Sequence, residues 1–238
     1  MPAIQDAIYS SSGYHEQKHG VSLKASDLIT RNRTRKFSAL IESSSLDILE
    51  VGIGPGWNMV RLPAHRRVGQ DVTLAYAGQL GNCGVEFVSD LSQLSGQQFD
   101  VVILSHVLEH LLEPAKLLAE LRTLLRPQGK LLLIVPLESP VRHSSAHDNN
   151  HHLFSWNAQT LKDFLIACNY FLSSCKVKRT GFDRYAAELA VRLGGGYGLY
   201  RFLLLLLRTI RPSHEIQVIA CFRADGEHGQ DDLGVGSQ

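Results

Sequence analysis

Leu46-Asp-Ile-Leu-Glu50-Val-Gly52-Ile-Gly54-Pro-Gly56 is where the fold of this 238-residue chain becomes readable. An apolar run of strand character ends in a carboxylate, and glycine follows at 52, 54 and 56. Glycine lets the backbone turn sharply and approach a ligand where a Cβ would collide. At the end of a first β-strand, such a turn reads as the nucleotide-binding turn of an α/β domain. A carboxylate just before the first glycine suits a ligand that is locally cationic. The spacing is G-x-G-x-G rather than the dinucleotide G-x-G-x-x-G, and no Lys or Arg follows directly to reach a phosphate.

Outward from this turn, strand-like and helix-like segments alternate, the pattern of a parallel sheet covered by helices. Strands are expected at 46–51, 67–72, 85–88, 99–104, 130–135, 175–178 and 215–222. Helices are expected at 114–125, with Pro114 tolerated in its first turn, and at 157–169, with Asn157 as cap. The run Arg126-Pro-Gln-Gly129 reads as a helix terminator. Fourteen residues separate Gly56 from Asp71, with Pro63 among them, so a helix there is limited to about two turns. The segment 183–213 is too long for a hairpin and reads as a helical insertion interrupted by Gly194-Gly-Gly196. Residues 1–45 read as a polar arm with one or two cap helices, 46–222 as the main domain, and 223–238, rich in Gly and Asp, as a disordered tail.

Composition narrows the function classes. With 24 basic and 23 acidic residues the net charge is +1, which argues against a nucleic-acid partner. Four dispersed cysteines with no C-x-x-C pair, and a polar N-terminus without an apolar signal core, fit reduced thiols and a cytoplasmic location. Phe202 to Leu207 is a uniformly apolar run flanked by arginines. It is too short to span a bilayer and too uniform for an amphipathic surface helix, so it reads as a buried helix or a contact face. Through 199–210 that face would serve a peripheral membrane contact or a homodimer.

Glu50, Gly52, Gly54 and Gly56 match position for position the first motif of the class I S-adenosylmethionine-dependent methyltransferases, an acidic residue followed by x-G-x-G-x-G, and the chain resembles that family over roughly residues 46–175 and, loosely, 215–222. The resemblance implies a Rossmann-like, doubly wound seven-stranded α/β sheet whose last strand is antiparallel, here with a helical N-terminal arm and a helical insertion before that strand. S-adenosyl-L-methionine would be the cofactor and S-adenosyl-L-homocysteine the product. By position, Asp71 would accept the ribose hydroxyls, Asp90 the adenine amino group, and the Leu91 N–H would serve a ring nitrogen. Ser105 and His106 would line the methionine end. The acceptor would be a small molecule or a saccharide or lipid-linked precursor, methylated on oxygen. Ser105-His-Val-Leu stands where amine-methylating enzymes acting on DNA bases carry an Asn-Pro-Pro-Tyr-type run.

Histidines supply the candidate base. His106-Val-Leu-Glu109-His110 also matches the H-x-x-E-H signature of inverted zinc peptidases, which makes a zinc hydrolase the first rival reading. A methyltransferase-like binding protein without turnover is the second. His106 follows an apolar strand directly, which favours a strand-to-helix turn over a zinc-binding helix, and no metal is assigned. A second group, His143, His147, Asp148, His151 and His152, fills the loop after the fifth strand, where α/β ligands bind. The run His151-His-Leu-Phe-Ser-Trp156 resembles a substrate-side loop of the same family. Histidine titrates near working pH, and His151 or His152, then His106 or His110, are the expected bases.

Overall fold

A computed structural model describes residues 20–38, 41, 44–138, 151–211 and 213–222. Seven strands form one sheet: β1 Asp47–Val51, β2 Arg66–Gln70, β3 Glu86–Val88, β4 Phe99–Ser105, β5 Leu125–Leu137, β6 Tyr170–Thr180 and β7 Ser213–Phe222. Their spatial order is β3-β2-β1-β4-β5-β7-β6. The first five pair in parallel, and β7 runs antiparallel between β5 and β6. The helices are α1 Leu23–Ser38, α2 Ala77–Asn82, α3 Pro114–Leu124, α4 Ala158–Ala167, α5 Asp183–Arg192 and α6 Tyr197–Ile210.

The central strands are apolar on both sides because both faces of the sheet are covered. Leu49, Val102, Leu104, Leu131 and Leu133 point to one face and pack with Leu118, Leu121, Leu161 and Leu165 of α3 and α4. Ile48, Val101, Ile103, Leu132 and Ile134 alternate to the other face, against Phe37, Met59, Leu62 and Leu80. A third core lies over the C-terminal edge of the sheet, where Ala25, Leu28 and Ile29 of α1 meet Ala186, Ala187 and Ala190 of α5 and Tyr200, Leu203 and Leu204 of α6. This three-helix cap is what the sequence sets apart as an arm and an insertion. Its break falls at Gly194–Gly196, as expected, with Gly194 in the left-handed region at φ +67°.

Several boundaries differ from the sequence reading. No helix forms between β1 and β2: Met59 and Val60 donate to the Gly56 carbonyl, Leu62 to that of Met59, and the chain then enters β2. Pro63 lacks the N–H that would carry a further turn. Arg126-Pro-Gln-Gly129 is not a terminator but the irregular start of β5, its register against β4 shifting between Phe99 and Val101. Arg126 fixes this segment through Asp47 and Asp100. β6 is far longer than 175–178, because an edge strand with one open face carries little apolar signal. The Phe202–Leu207 run is amphipathic after all: Leu203 and Leu204 are buried, whereas Phe202, Leu205 and Leu206 are exposed. Among the described residues no helix is long and apolar enough to cross a membrane. The calls on His143, His147, Asp148, residues 1–19 and the tail 223–238 lie outside the described residues.

Candidate active site

β1 delivers Glu50 to the C-terminal edge of the sheet, and the glycine turn follows at once. Gly52 adopts φ +70°, and a Cβ there would collide with the Val107 side chain. Gly56 adopts φ +75°, and a Cβ there would come within 2.7 Å of Val60 and 2.5 Å of Leu80. The turn is anchored to the neighbouring strand, with Gly52 and Ile53 donating to the Gln70 carbonyl at 2.8 and 3.0 Å. Asp71, just past β2, is buried and accepts from Gly54 N at 2.8 Å and Thr73 N at 3.0 Å. Its carboxylate therefore organises the turn, a role the sequence reading did not give it.

Glu50 is 1% exposed. One carboxyl oxygen accepts from Asn58 Nδ2 at 2.6 Å, and the other has no hydrogen-bond partner. Burial pushes its pKa up to about 8, against the opposing effect of the Asn58 bond. A buried, half-satisfied carboxyl is costly and awaits a cationic donor. That orphaned oxygen, at the entry to the glycine turn, fits the amino-acid end of S-adenosylmethionine.

Asp90 precedes a single 3-10 turn at Leu91–Leu94 and caps it. Its side chain accepts from Ser92 N at 2.7 Å, while Gln93 reaches back to the Asp90 N–H at 3.2 Å. The Ser92 bonds hold its carboxyl below the ordinary range. Leu91 is buried in the core beside it.

β4 ends in Ser105, and His106 follows with a left-handed backbone, φ 57°, that re-aims its ring. Such a conformation in a non-glycine residue is uncommon and clusters at functional sites. The His106 side chain is 40% exposed, with Nδ1 3.4 Å from Glu109 and Nε2 3.8 Å from Glu215. Burial works against its imidazolium, but the two carboxylates outweigh it and raise the pKa above the ordinary histidine value. Glu215 comes from β7, which, being antiparallel, begins where the parallel strands end. Burial opposes ionisation of Glu215, yet His106 and Lys36 hold its carboxyl well below the usual range. Sequence reasoning missed Glu215. Its only signal is an acid at the mouth of an otherwise apolar last strand.

Ser105, His106 and Asn58 open into a cleft of about 330 Å³, walled by α1, the end of β6, α5, α6 and the start of β7. The structure brings His106 into this cleft but not the other three candidate bases. His152 Nδ1 is bonded to Glu138 at 2.7 Å, and its ring packs edge-on against His110, centroids 4.8 Å apart. His151 is exposed with φ 53°. His106 and His110 do not share a helical face, since only residues 108–110 form a 3-10 turn. The grouping with metal-ligand spacing among the described residues is Glu109, His110 and His152 instead, their ligand atoms within 4.8 Å of one another.

A family model for a methyltransferase domain matches residues 18–172, more than half of the chain. No curated protein matches. Among solved structures, the chain is similar to the Burkholderia thailandensis 1,6-didemethyltoxoflavin-N1-methyltransferase with bound 1,6-didemethyltoxoflavin and S-adenosylhomocysteine, with 20% identity, TM-score 0.63, and 94% of this chain and 91% of that one covered. The magnesium protoporphyrin IX methyltransferase of Synechocystis PCC 6803 aligns with 14% identity, TM-score 0.58, and 91% and 98% coverage. A Haemonchus contortus phosphoethanolamine N-methyltransferase aligns with 14% identity, TM-score 0.55, and 81% and 52% coverage. The chain belongs to the methyltransferase-domain family and is an S-adenosylmethionine-dependent methyltransferase of the class I fold.

Proposed function

We propose that this methyltransferase acts on a small-molecule acceptor held in the cleft beside His106, with oxygen as the receiving atom. One observation carries the reading. The cleft reaches from the helical cap down to Ser105, His106 and Asn58, so an acceptor seated there meets the same strand edge that holds Glu50 and the glycine turn. When bound, S-adenosylmethionine supplies an electrophilic methyl group on a sulfonium centre. Glu50 and the turn would hold its amino-acid end, with Asp71 keeping the turn in shape. Asp90 and the Leu91 N–H would face the adenine. The protein's contribution is then orientation and exclusion of water, and for a hydroxyl acceptor the removal of one proton.

His106 is the base this reading selects, ahead of His151, His152 and His110. It lines the cleft, and Glu109 and Glu215 stabilise the imidazolium that forms when it accepts a proton. Because its pKa is raised, the neutral, proton-accepting form grows as pH rises through a value above the ordinary one for histidine. Turnover should therefore fall on the acid side of that value. His106→Ala should cost about 10²–10⁴ in turnover while leaving S-adenosylhomocysteine affinity within about threefold, as read by calorimetry. Glu215→Gln should move the acid limb of the rate profile to lower pH. Unchanged turnover in His106→Ala would remove it as the base.

A further inference from the structure

The acceptor cleft is far more cationic than the chain around it. α1, the end of β6 and α6 contribute seven Lys and Arg side chains to its walls, against Asp183 and Glu215. The whole chain carries an excess of one positive charge, so its cations are concentrated here. Two of the seven are paired with carboxylates, Lys36 with Glu215 and Arg208 with Asp183 at 3.2 Å. Arg201 donates to Asn32 Oδ1 at 3.2 Å, and Arg33 lies over the Trp57 ring at 5.2 Å. Among the described residues no carboxylate forms an ion pair with Arg33, Arg35, Lys178, Arg179 or Arg201.

Five cations without a carboxylate ion-pair partner line one concavity and raise its positive potential, which a bound anion would answer. A cleft lined by one sign of charge focuses its field and gathers counter-ions. Guanidinium groups match phosphate oxygens in forked pairs, and a lysine adds a point charge. A single carboxylate would leave most of this charge unanswered. At about 330 Å³ the cleft suits a small molecule. The geometry points to a phosphorylated acceptor, its phosphate or pyrophosphate held by Arg35, Lys178 and Arg179 at the mouth while its methylatable group reaches His106. This rests on the reading of the cleft as the acceptor site.

Lys178 and Arg179 are exposed at the end of an edge strand, so their removal leaves the core intact. The test is calorimetry on the full chain saturated with S-adenosylhomocysteine, titrated with inorganic pyrophosphate, phosphate, acetate and a short single-stranded RNA. Pyrophosphate is expected to bind one to one and more tightly than acetate. Its affinity should drop at least tenfold in Lys178→Ala/Arg179→Ala, with S-adenosylhomocysteine affinity unchanged. Equal pyrophosphate affinity in the variant, no saturable pyrophosphate binding, acetate binding as tightly as pyrophosphate, or tighter RNA binding lost in the variant each overturns the assignment. Failure of the unaltered protein to bind S-adenosylhomocysteine would instead strike the methyltransferase reading of the site, and pyrophosphate titrated into the protein alone would still decide the charge argument.

Discussion

At the scale of single residues, Glu50 has the most direct consequence. With its pKa pushed up to about 8, the carboxyl is mostly protonated at neutral pH before the cofactor arrives. A cationic amino group brought against its free oxygen favours the ionised form, so binding expels the proton. Below pH 8 the binding of S-adenosylhomocysteine should release close to one proton, and affinity should rise with pH toward 8. Calorimetry at pH 7 in two buffers of different ionisation enthalpy reads this directly, and identical heats would dismiss it. Glu50→Gln cannot ionise; it should bind about 10- to 100-fold more weakly, the worth of a charge-assisted hydrogen bond, and release no proton.

At the scale of elements, α6 shows how burial divides a uniform sequence. Leu203 and Leu204 belong to the cap core, while Leu205 is 70% exposed. Truncating Leu204 to Ala leaves a cavity and should cost about 2–4 kcal/mol. Leu205→Ser touches no core and should stay within about 0.5 kcal/mol of the parent. Urea unfolding of the two variants tests the assignment, and equal losses would contradict it. The buried side of α6 is also tied by Tyr200, whose hydroxyl donates to Asp183 at 3.0 Å, and by Arg208, which donates to the Gly181 carbonyl at 3.1 Å. These bonds join the helix to the end of β6 and to α5, so the cap holds together as one layer.

At the scale of the molecule, the sheet and the glycine turn were legible because their signals are local. β1 and β4 are continuous apolar runs, the glycine turn needs its residue types, and Asn157 caps α4 as its chemistry suggests, accepting from Thr160 N at 2.9 Å. The cleft was not legible. The cleft assembles α1, β6, α6 and β7 from positions separated by up to 185 residues, Asn32 to Gln217, and no short window contains that pattern. His152 looked catalytic from its neighbours in sequence, yet Glu138 and His110 engage it away from the cleft. Glu215 looked like an ordinary strand residue, yet the antiparallel insertion of β7 sets it beside His106. Asp71 was legible as a site acid, but its bonds to the Gly54 and Thr73 N–H groups, which shape the turn, were not.

Trp57 follows Gly56 directly, lies buried among α1, α5 and α6, and donates from Nε1 to Ser26 at 2.9 Å. The glycine turn and the helical cap thus share one indole, and that indole is a lamp. The chain has only one other, Trp156, so Trp156→Phe leaves a protein whose ultraviolet emission comes from this joint alone. A blue, protected spectrum would report a seated cap, and a red shift would report water reaching the ring. Stopped-flow mixing with S-adenosylhomocysteine and, separately, with pyrophosphate would then show, without a label, whether either ligand is felt at this joint.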